Sequence, residues 1–291
     1  MHVHLIDGTY ELFRFYYAVP EHFDPDGVDV GAVRGVVQSV LELLEQGATH
    51  VGVATDHIVE SFRNDLYDGY KTGAGIDPVL FAQFPLLEEA LEAFGVAVWA
   101  EVELEADDGL ASAAMVAGTD DRVERVFVCT PDKDMAQCVR DPVVAVLDRR
   151  KGRLLDEAGV REKYGVAPAS IPDWLALMGD SADGFPGLPG WGAKSAATVL
   201  SRYEHIANIP DNAREWDIEV RGAARLAATL AEQRSDAELF LTLATLRTDG
   251  DVGRVDDWRW TGPTKDFAAW AERLGRPALA ERAQRLTAQR T

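Results

Sequence analysis

Residues 126–134 read Val-Phe-Val-Cys-Thr-Pro-Asp-Lys-Asp. Four apolar residues predict a buried strand, and two carboxylates follow at once in the loop at its carboxyl end. The pattern recurs. Val3–Ile6 (VHLI) runs directly into Asp7, and Val51–Ala54 (VGVA) is followed two residues later by Asp56. Val96–Trp99 (VAVW) precedes Glu105, Asp107 and Asp108 in the string EADD, which opens a helix predicted over 107–116. Val143–Leu147 adds one more strand, and helical spacing over 34–44 and 80–94 fills the gaps. Strands alternating with helices predict a parallel sheet covered on both faces. In such sheets the crevice beyond the strand carboxyl ends is where sites form.

The pattern changes near Tyr164–Pro168. Beyond it, 167–178, 194–203, 221–233 and 236–246 read as helices separated by Gly and Pro turns, and 264–274 and 277–289 follow in the tail. The expected organisation is an α/β domain over 1–165 and a mostly helical domain over 166–291, with no internal repeat or low-complexity tract.

Composition narrows the function. The chain has 291 residues, 47% of them apolar, enough for a substantial core. No apolar run approaches the ~20 residues a bilayer span needs, and MHVHLIDGTY lacks the features of a signal peptide. Two cysteines, Cys129 and Cys138, exclude a disulfide scaffold and a zinc ribbon and suggest a reducing, cytoplasmic setting. A net charge of −20 argues against coating nucleic acid by bulk charge. Residues 1–110 carry 21 acids against only Arg14, Arg34, Arg63 and Lys71, so they hold most of that excess. Either this is a highly soluble acidic surface or it is a carboxylate site that needs cations.

Placement favours the second. A further pair, Asp180 and Asp183 (GDSAD), sits in a turn before a Gly/Pro-rich segment. Each acid alone has an ordinary explanation. Asp107 and Asp108 suit a helix start, Asp7 suits a turn before Gly8, and Asp132 and Asp134 flank Lys133. Five groups at element ends are harder to explain that way. Nine carboxylates in one crevice repel one another unless counter-charged. Mg²⁺ takes oxygen ligands and keeps waters, and two such ions about 3.5–4 Å apart suit phosphodiester hydrolysis.

Two further segments point to phosphate. In FPGLPGWGAKSAATVL (185–200), Gly190, Trp191 and Gly192 form a G-x-G turn, and Lys194 and Ser195 begin a helix. Such a helix-hairpin-helix grips a nucleic-acid backbone without reading bases; its plain alternative is a glycine-rich helix–helix turn. In SFRNDLYDGYK (61–71), Arg63, Tyr70 and Lys71 follow Asp56. They either bridge to neighbouring acids or meet a scissile phosphate, with Tyr70 stacking on a base.

Together these residues resemble the 5′-nuclease superfamily: flap endonucleases and the 5′→3′ exonuclease domain of bacterial DNA polymerase I. The motifs run in family order through about residues 3–250. The resemblance implies a PIN-like nuclease domain followed by an H3TH helix-hairpin-helix domain. It implies Asp7, Asp56, Glu105, Asp107, Asp108, Asp132, Asp134, Asp180 and Asp183 as ligands of two Mg²⁺ (or Mn²⁺). Arg14 would be a supporting base, and Lys71 would touch the scissile phosphate. Gly190–Lys194 would hold downstream duplex, with K⁺ often bound. A helical arch is expected over about 71–83. This sequence departs from the family pattern at Ala74 (usually arginine), Glu103 and Pro131 (usually glycine), Gly184 (usually asparagine) and Thr55 (usually bulky and apolar), and no ligand is lost.

The expected activity is therefore metal-dependent hydrolysis of DNA at 5′ ends and flap junctions by a free-standing, monomeric enzyme of repair or replication. Its substrates would be 5′ flaps, frayed duplex ends and RNA–DNA primers. The rivals are a non-catalytic junction-binding relative and a ribonuclease on a related fold.

Overall fold

The computed structural model describes residues 1–290. Its elements begin with β1 (His2–Asp7), α1 (Gly8–Tyr16), α2 (Gly31–Glu45), β2 (His50–Asp56), α3 (Phe62–Leu66), α4 (Pro78–Phe81), α5 (Gln83–Ala93), β3 (Ala97–Glu101), α6 (Ala106–Gly118) and β4 (Arg125–Cys129). They continue with β5 (Val144–Asp148), β6 (Arg153–Leu155), α7 (Glu157–Tyr164), α8 (Ile171–Met178), α9 (Ala193–Tyr203), α10 (Ala223–Glu232), α11 (Arg234–Ala244), α12 (Phe267–Arg273) and α13 (Ala278–Arg290). The chain divides into two compact units: residues 1–59, 73–130 and 247–291, and residues 60–72 and 131–246.

The first unit holds parallel strands in the order β3-β2-β1-β4. Val3 pairs with His50, His2 with Arg125, and Asp56 with Glu101. Val3, Leu5, Ile6, Val51, Val53, Val126 and Val128 are buried, as continuous apolar strands covered on both faces should be. The α2 helix buries Val33, Val36, Val37, Val40, Leu41 and Leu44, a stripe at helical spacing. Because β1 and β2 run parallel, Asp7 and Asp56, each the last residue of its strand, share one edge of the sheet.

Residues 247–290, far along the chain from the sheet strands, pack with this unit. The cause is aromatic burial. Trp258 meets Trp99 at 5.3 Å between ring centroids, Trp260 meets Phe94 at 5.6 Å, and Phe267 stacks on Phe94 at 4.7 Å. Trp258 Nε1 donates to the Val252 carbonyl and Trp260 Nε1 to the Phe94 carbonyl, so neither buried indole lacks an acceptor. The predicted helix over 80–94 is two helices, α4 and α5. Pro85, in the first turn of α5, has no N–H to give the residue 81 carbonyl, so the two do not merge.

The second unit is mostly helical. It contains α3, the β5–β6 pair and α7 to α11. The β5 and β6 strands pair antiparallel, so the predicted strand at 143–147 forms a hairpin here. Phe185 stacks on Phe240 at 5.6 Å, and Tyr67 meets Phe240 edge-on at 5.9 Å, joining residues 60–72 to α11.

Candidate active site

Three aspartates converge in the second unit. Asp134 opens the single 3-10 turn after the TPDK loop, and Asp180 and Asp183 lie in the turn that follows α8. All three are buried, and each offers an oxygen within 4.8 Å of the others. The backbone fixes this turn. Asp180 N–H donates to the Phe185 carbonyl (2.8 Å), Gly184 N–H to the Asp180 carbonyl (2.9 Å), and Ala182 N–H to Asp180 Oδ1 (3.0 Å). Gly184 adopts φ of +90°, and a Cβ there would lie 2.2 Å from the Gly69 carbonyl oxygen. Space and backbone conformation thus account for glycine at this departure from the family pattern.

The cluster is electrostatically loaded. Burial pushes the Asp134 carboxyl well above the usual carboxylate range, and the negative charges of Asp132, Asp183 and Asp180 add to it. The Lys133 ammonium meets Asp180 Oδ2 and lies 3.7 Å from Asp134 Oδ1. Burial disfavours its charge, but the carboxylates of Asp134, Asp180 and Asp132 outweigh that and raise its pKa. Lys71 Nζ lies 3.0 Å from Asp183 Oδ1, and Lys71 N–H donates to the Asp183 carbonyl at 2.9 Å. Asp132 is exposed, and its Oδ1 accepts from Asp134 N–H at 2.9 Å. Four acids against two ammoniums leave negative charge in excess. Asp134 Oδ1 is buried without a hydrogen-bond partner among the described residues. An all-oxygen set with unspent lone pairs and surplus charge fits a hard divalent cation.

The first unit gathers the remaining acids. Asp7 caps α1: its Oδ1 accepts from Tyr10 N–H (2.8 Å) and its Oδ2 from the Thr130 hydroxyl (2.9 Å). Asp56 Oδ1 accepts from Ala106 N–H (2.8 Å), at the start of α6, and its own N–H donates to the Thr9 hydroxyl (2.9 Å). Asp108 is fully buried. Its two oxygens accept from Glu105 N–H (3.0 Å) and Arg247 N–H (2.8 Å), which makes it a cross-link between α6 and the C-terminal segment. Glu105 is buried and Asp107 half-buried, in the first turn of α6.

Glu101 escaped the sequence reading. It ends β3, opposite Asp56 in the ladder. Burial, then the charges of Asp108 and Asp56, push its carboxyl up to about 7. No spacing rule separates Glu101 from Glu103; only the register of β2 against β3 does. Beside burial, the negative charges of Asp108 and Asp56 act on Glu101, and a cation among these carboxylates would offset them.

Several expectations need correction. Arg63 is 1% exposed, and its guanidinium donates to the carbonyls of Leu243 (2.8 Å) and Thr245 (3.1 Å). It braces the end of α11 and cannot reach a phosphate without breaking those bonds. Tyr70 is 4% exposed, so its ring offers no face to a base; Lys71 Nζ lies over it at 5.7 Å. Arg14 pairs with Glu11 and lies 4.0 Å from the Phe15 ring centroid, a local brace on α1. Over 71–83 the helices among the described residues are the four-residue α4 and the first residue of α5, so the expected arch is not a helical one here.

The hairpin stands as a groove of about 1140 Å³ lined by Gly190, Gly192, Lys194, Ser195, Arg221 and Arg225, among others. Gly192 N–H donates to the Ser195 hydroxyl (3.0 Å), pinning the start of α9. Gly190 has φ of +85°, and a Cβ there would lie 2.7 Å from Arg225 Nη2, so the guanidinium rests against the turn. Lys194, Arg221 and Arg225 are exposed. Trp191 corrects an expectation. It is buried, its Nε1 donates to the Leu226 carbonyl (3.2 Å), and it holds α10 against the hairpin from beneath.

Two family models match the chain: the 5′-3′ exonuclease N-terminal resolvase-like domain over residues 2–165, and the 5′-3′ exonuclease C-terminal SAM fold over 166–266. A 5′-3′ exonuclease of Buchnera aphidicola subsp. Schizaphis graminum is 30% identical over 249 residues, covering 84% of this chain and 86% of that one. DNA polymerase I of Mycobacterium leprae is 37% identical over 264 residues. That match covers 87% of this chain but 28% of the polymerase, so the chain spans under a third of that relative's length. A solved structure of T5 5′-exonuclease with bound zinc shares the fold, with a TM-score of 0.68 at 17% identity and 98% coverage of both chains.

Proposed function

Because the chain belongs to the 5′-3′ exonuclease family, we propose that it is a structure-specific 5′ nuclease that hydrolyses DNA phosphodiesters at 5′ ends and flap junctions. The observation that carries this is the buried set Asp134, Asp180 and Asp183, with oxygens within 4.8 Å and too few cations to balance them. These residues would hold one divalent cation, and Asp7, Asp56, Glu105 and Asp107 would supply ligands for a second, with Asp108 and Asp132 holding neighbouring backbone in place. Bound Mg²⁺ or Mn²⁺ would supply a water more acidic than bulk water and would offset charge on a phosphate.

The protein's own groups do the rest. Lys71, anchored by Asp183, presents its ammonium to a phosphate oxygen and opposes charge developing there. The N–H groups at the start of α9, with Lys194 and the exposed Arg221 and Arg225, grip the backbone of downstream duplex without reading its bases. The glycine turn lets a phosphate approach closely, and the backbone of Gly190 and Gly192 would hold K⁺, whose charge would offset that of the phosphate. Substrate ends would fray before reaching the acids, at a cost of a few kcal/mol that flaps avoid. RNA–DNA primers fall within the same chemistry. Among the described residues no helix is long and apolar enough to cross a membrane; we take the protein to act as a monomer in the cytoplasm.

The test is cleavage of a 5′-labelled flap duplex in Mg²⁺, Mn²⁺ or EDTA, with single-stranded DNA and RNA controls and the Asp134→Asn variant. Metal-dependent cuts at the junction, lost in Asp134→Asn while flap binding persists, are expected. Binding with no cleavage in either metal would make the protein a junction-binding module; cleavage confined to single-stranded RNA would make it a ribonuclease.

A further inference from the structure

Thr55 stands where the family pattern has a bulky apolar residue, and His57 follows Asp56. The structure gives this pair a partner. Glu88, on α5, is 6% exposed and sits between the buried Leu87 and Leu91. Its Oε1 accepts from the Thr55 hydroxyl at 2.8 Å, and its Oε2 lies 2.7 Å from His57 Nδ1. Thr55 lies in β2 and His57 in the bend just beyond its end, and one carboxylate reaches both. Asp56, between them, engages Ala106 N–H at the start of α6.

A buried carboxylate is costly compared with an apolar residue of similar size. Packing alone would be met by leucine at 88 and valine at 55. What the polar trio adds is direction: it fixes the backbone on both flanks of one aspartate. We propose that Glu88 is a positioning residue for Asp56, clamping Thr55 and His57 so that the Asp56 carboxylate is set for a divalent cation before any cation arrives. This rests on the assignment of Asp56 as a metal ligand. Groups that orient ligands from behind change metal affinity by about 10–100-fold when removed.

The experiment is Mn²⁺ titration without DNA, followed by calorimetry and by the paramagnetic signal of free Mn²⁺, with thermal unfolding run in parallel. It compares wild type, Glu88→Gln, the double variant Thr55→Val with Glu88→Leu, and Asp56→Asn. Glu88→Gln should bind Mn²⁺ about 10-fold more weakly at one site. The double variant restores apolar packing, so it should unfold at or above the wild-type temperature yet keep the weakened site, an outcome a purely structural role for Glu88 would not produce. Wild-type Mn²⁺ affinity in the folded double variant, with Asp56→Asn weakened, would overturn the clamp and leave the ligand assignment standing. Wild-type affinity in Asp56→Asn would overturn both.

Discussion

Replacing Glu101 with glutamine should stabilise the metal-free protein, and only above mildly acidic pH. Burial, with Asp108 and Asp56 nearby, holds the Glu101 carboxyl at about 7 against an ordinary 4.5. The sign follows from proton counting. Between those values the folded protein keeps a proton that the unfolded chain has released, so stability falls as pH rises through the window. Below about 4.5 both states are protonated and the penalty is absent; above about 7 it is complete. At about 1.4 kcal/mol per pH unit the full shift corresponds to about 3.4 kcal/mol. Glu101 is only half-buried, and solvent screening reduces this to about 1–2 kcal/mol. The assay is urea unfolding from pH 4.5 to 8.5 in EDTA at low salt. Wild type and Glu101→Gln should coincide near pH 4.5 and diverge by about 1–2 kcal/mol at pH 8, with the variant more stable. Adding Ca²⁺ should narrow the gap, because a cation near Asp56 and Asp108 favours ionised Glu101. Parallel curves, or a wild type more stable than the variant at pH 8 in EDTA, would refute the placement of Glu101 in a field of uncompensated charge.

Arg63→Ala should cost about 3 kcal/mol or more in urea unfolding, since two buried carbonyls lose a charged donor; unchanged stability with weakened DNA binding would restore Arg63 to the phosphate. Lys133→Met removes the cation that faces Asp180 and Asp134. It should lower metal-free stability at neutral pH by about 1–3 kcal/mol, recovered by Ca²⁺ in a thermal-shift experiment. Lys194→Ala and Arg225→Ala should each lower the slope of log affinity against log salt for duplex by about one, measured by fluorescence anisotropy; an unchanged slope in both would mean the groove does not take backbone phosphate.

Much of this protein was legible in one dimension because its information is local. An apolar run followed by an acid marks a strand and its carboxyl end wherever it occurs, and VHLI-Asp7, VGVA-Thr-Asp56 and VFVC with Asp132 and Asp134 are such runs. Glycines before a helix start mark a turn that a partner backbone can approach, as at Gly190 and Gly192. Fold class needed nothing beyond these short windows.

What lay hidden depends on pairs far apart in the chain. Arg63 and Tyr70 sit in a motif that suggests substrate contact, yet bonds to residues 243 and 245 and simple burial take both out of reach. Trp191 looked like part of a gripping turn and proved to be its underside. Glu101 and Glu88 matter only through strand register and helix packing, which bring Glu101 opposite Asp56 and Glu88 against both neighbours of Asp56. The aromatic residues 258, 260 and 267 pack the C-terminal segment against the sheet unit, a pairing of residues far apart in the chain. The sequence by itself determined which elements form and which chemical groups stand at their ends, because propensity and periodicity act over a few residues. Only the tertiary structure decided which of those groups are exposed, paired or left with excess charge, because burial and Coulomb energy depend on neighbours that chain order does not reveal.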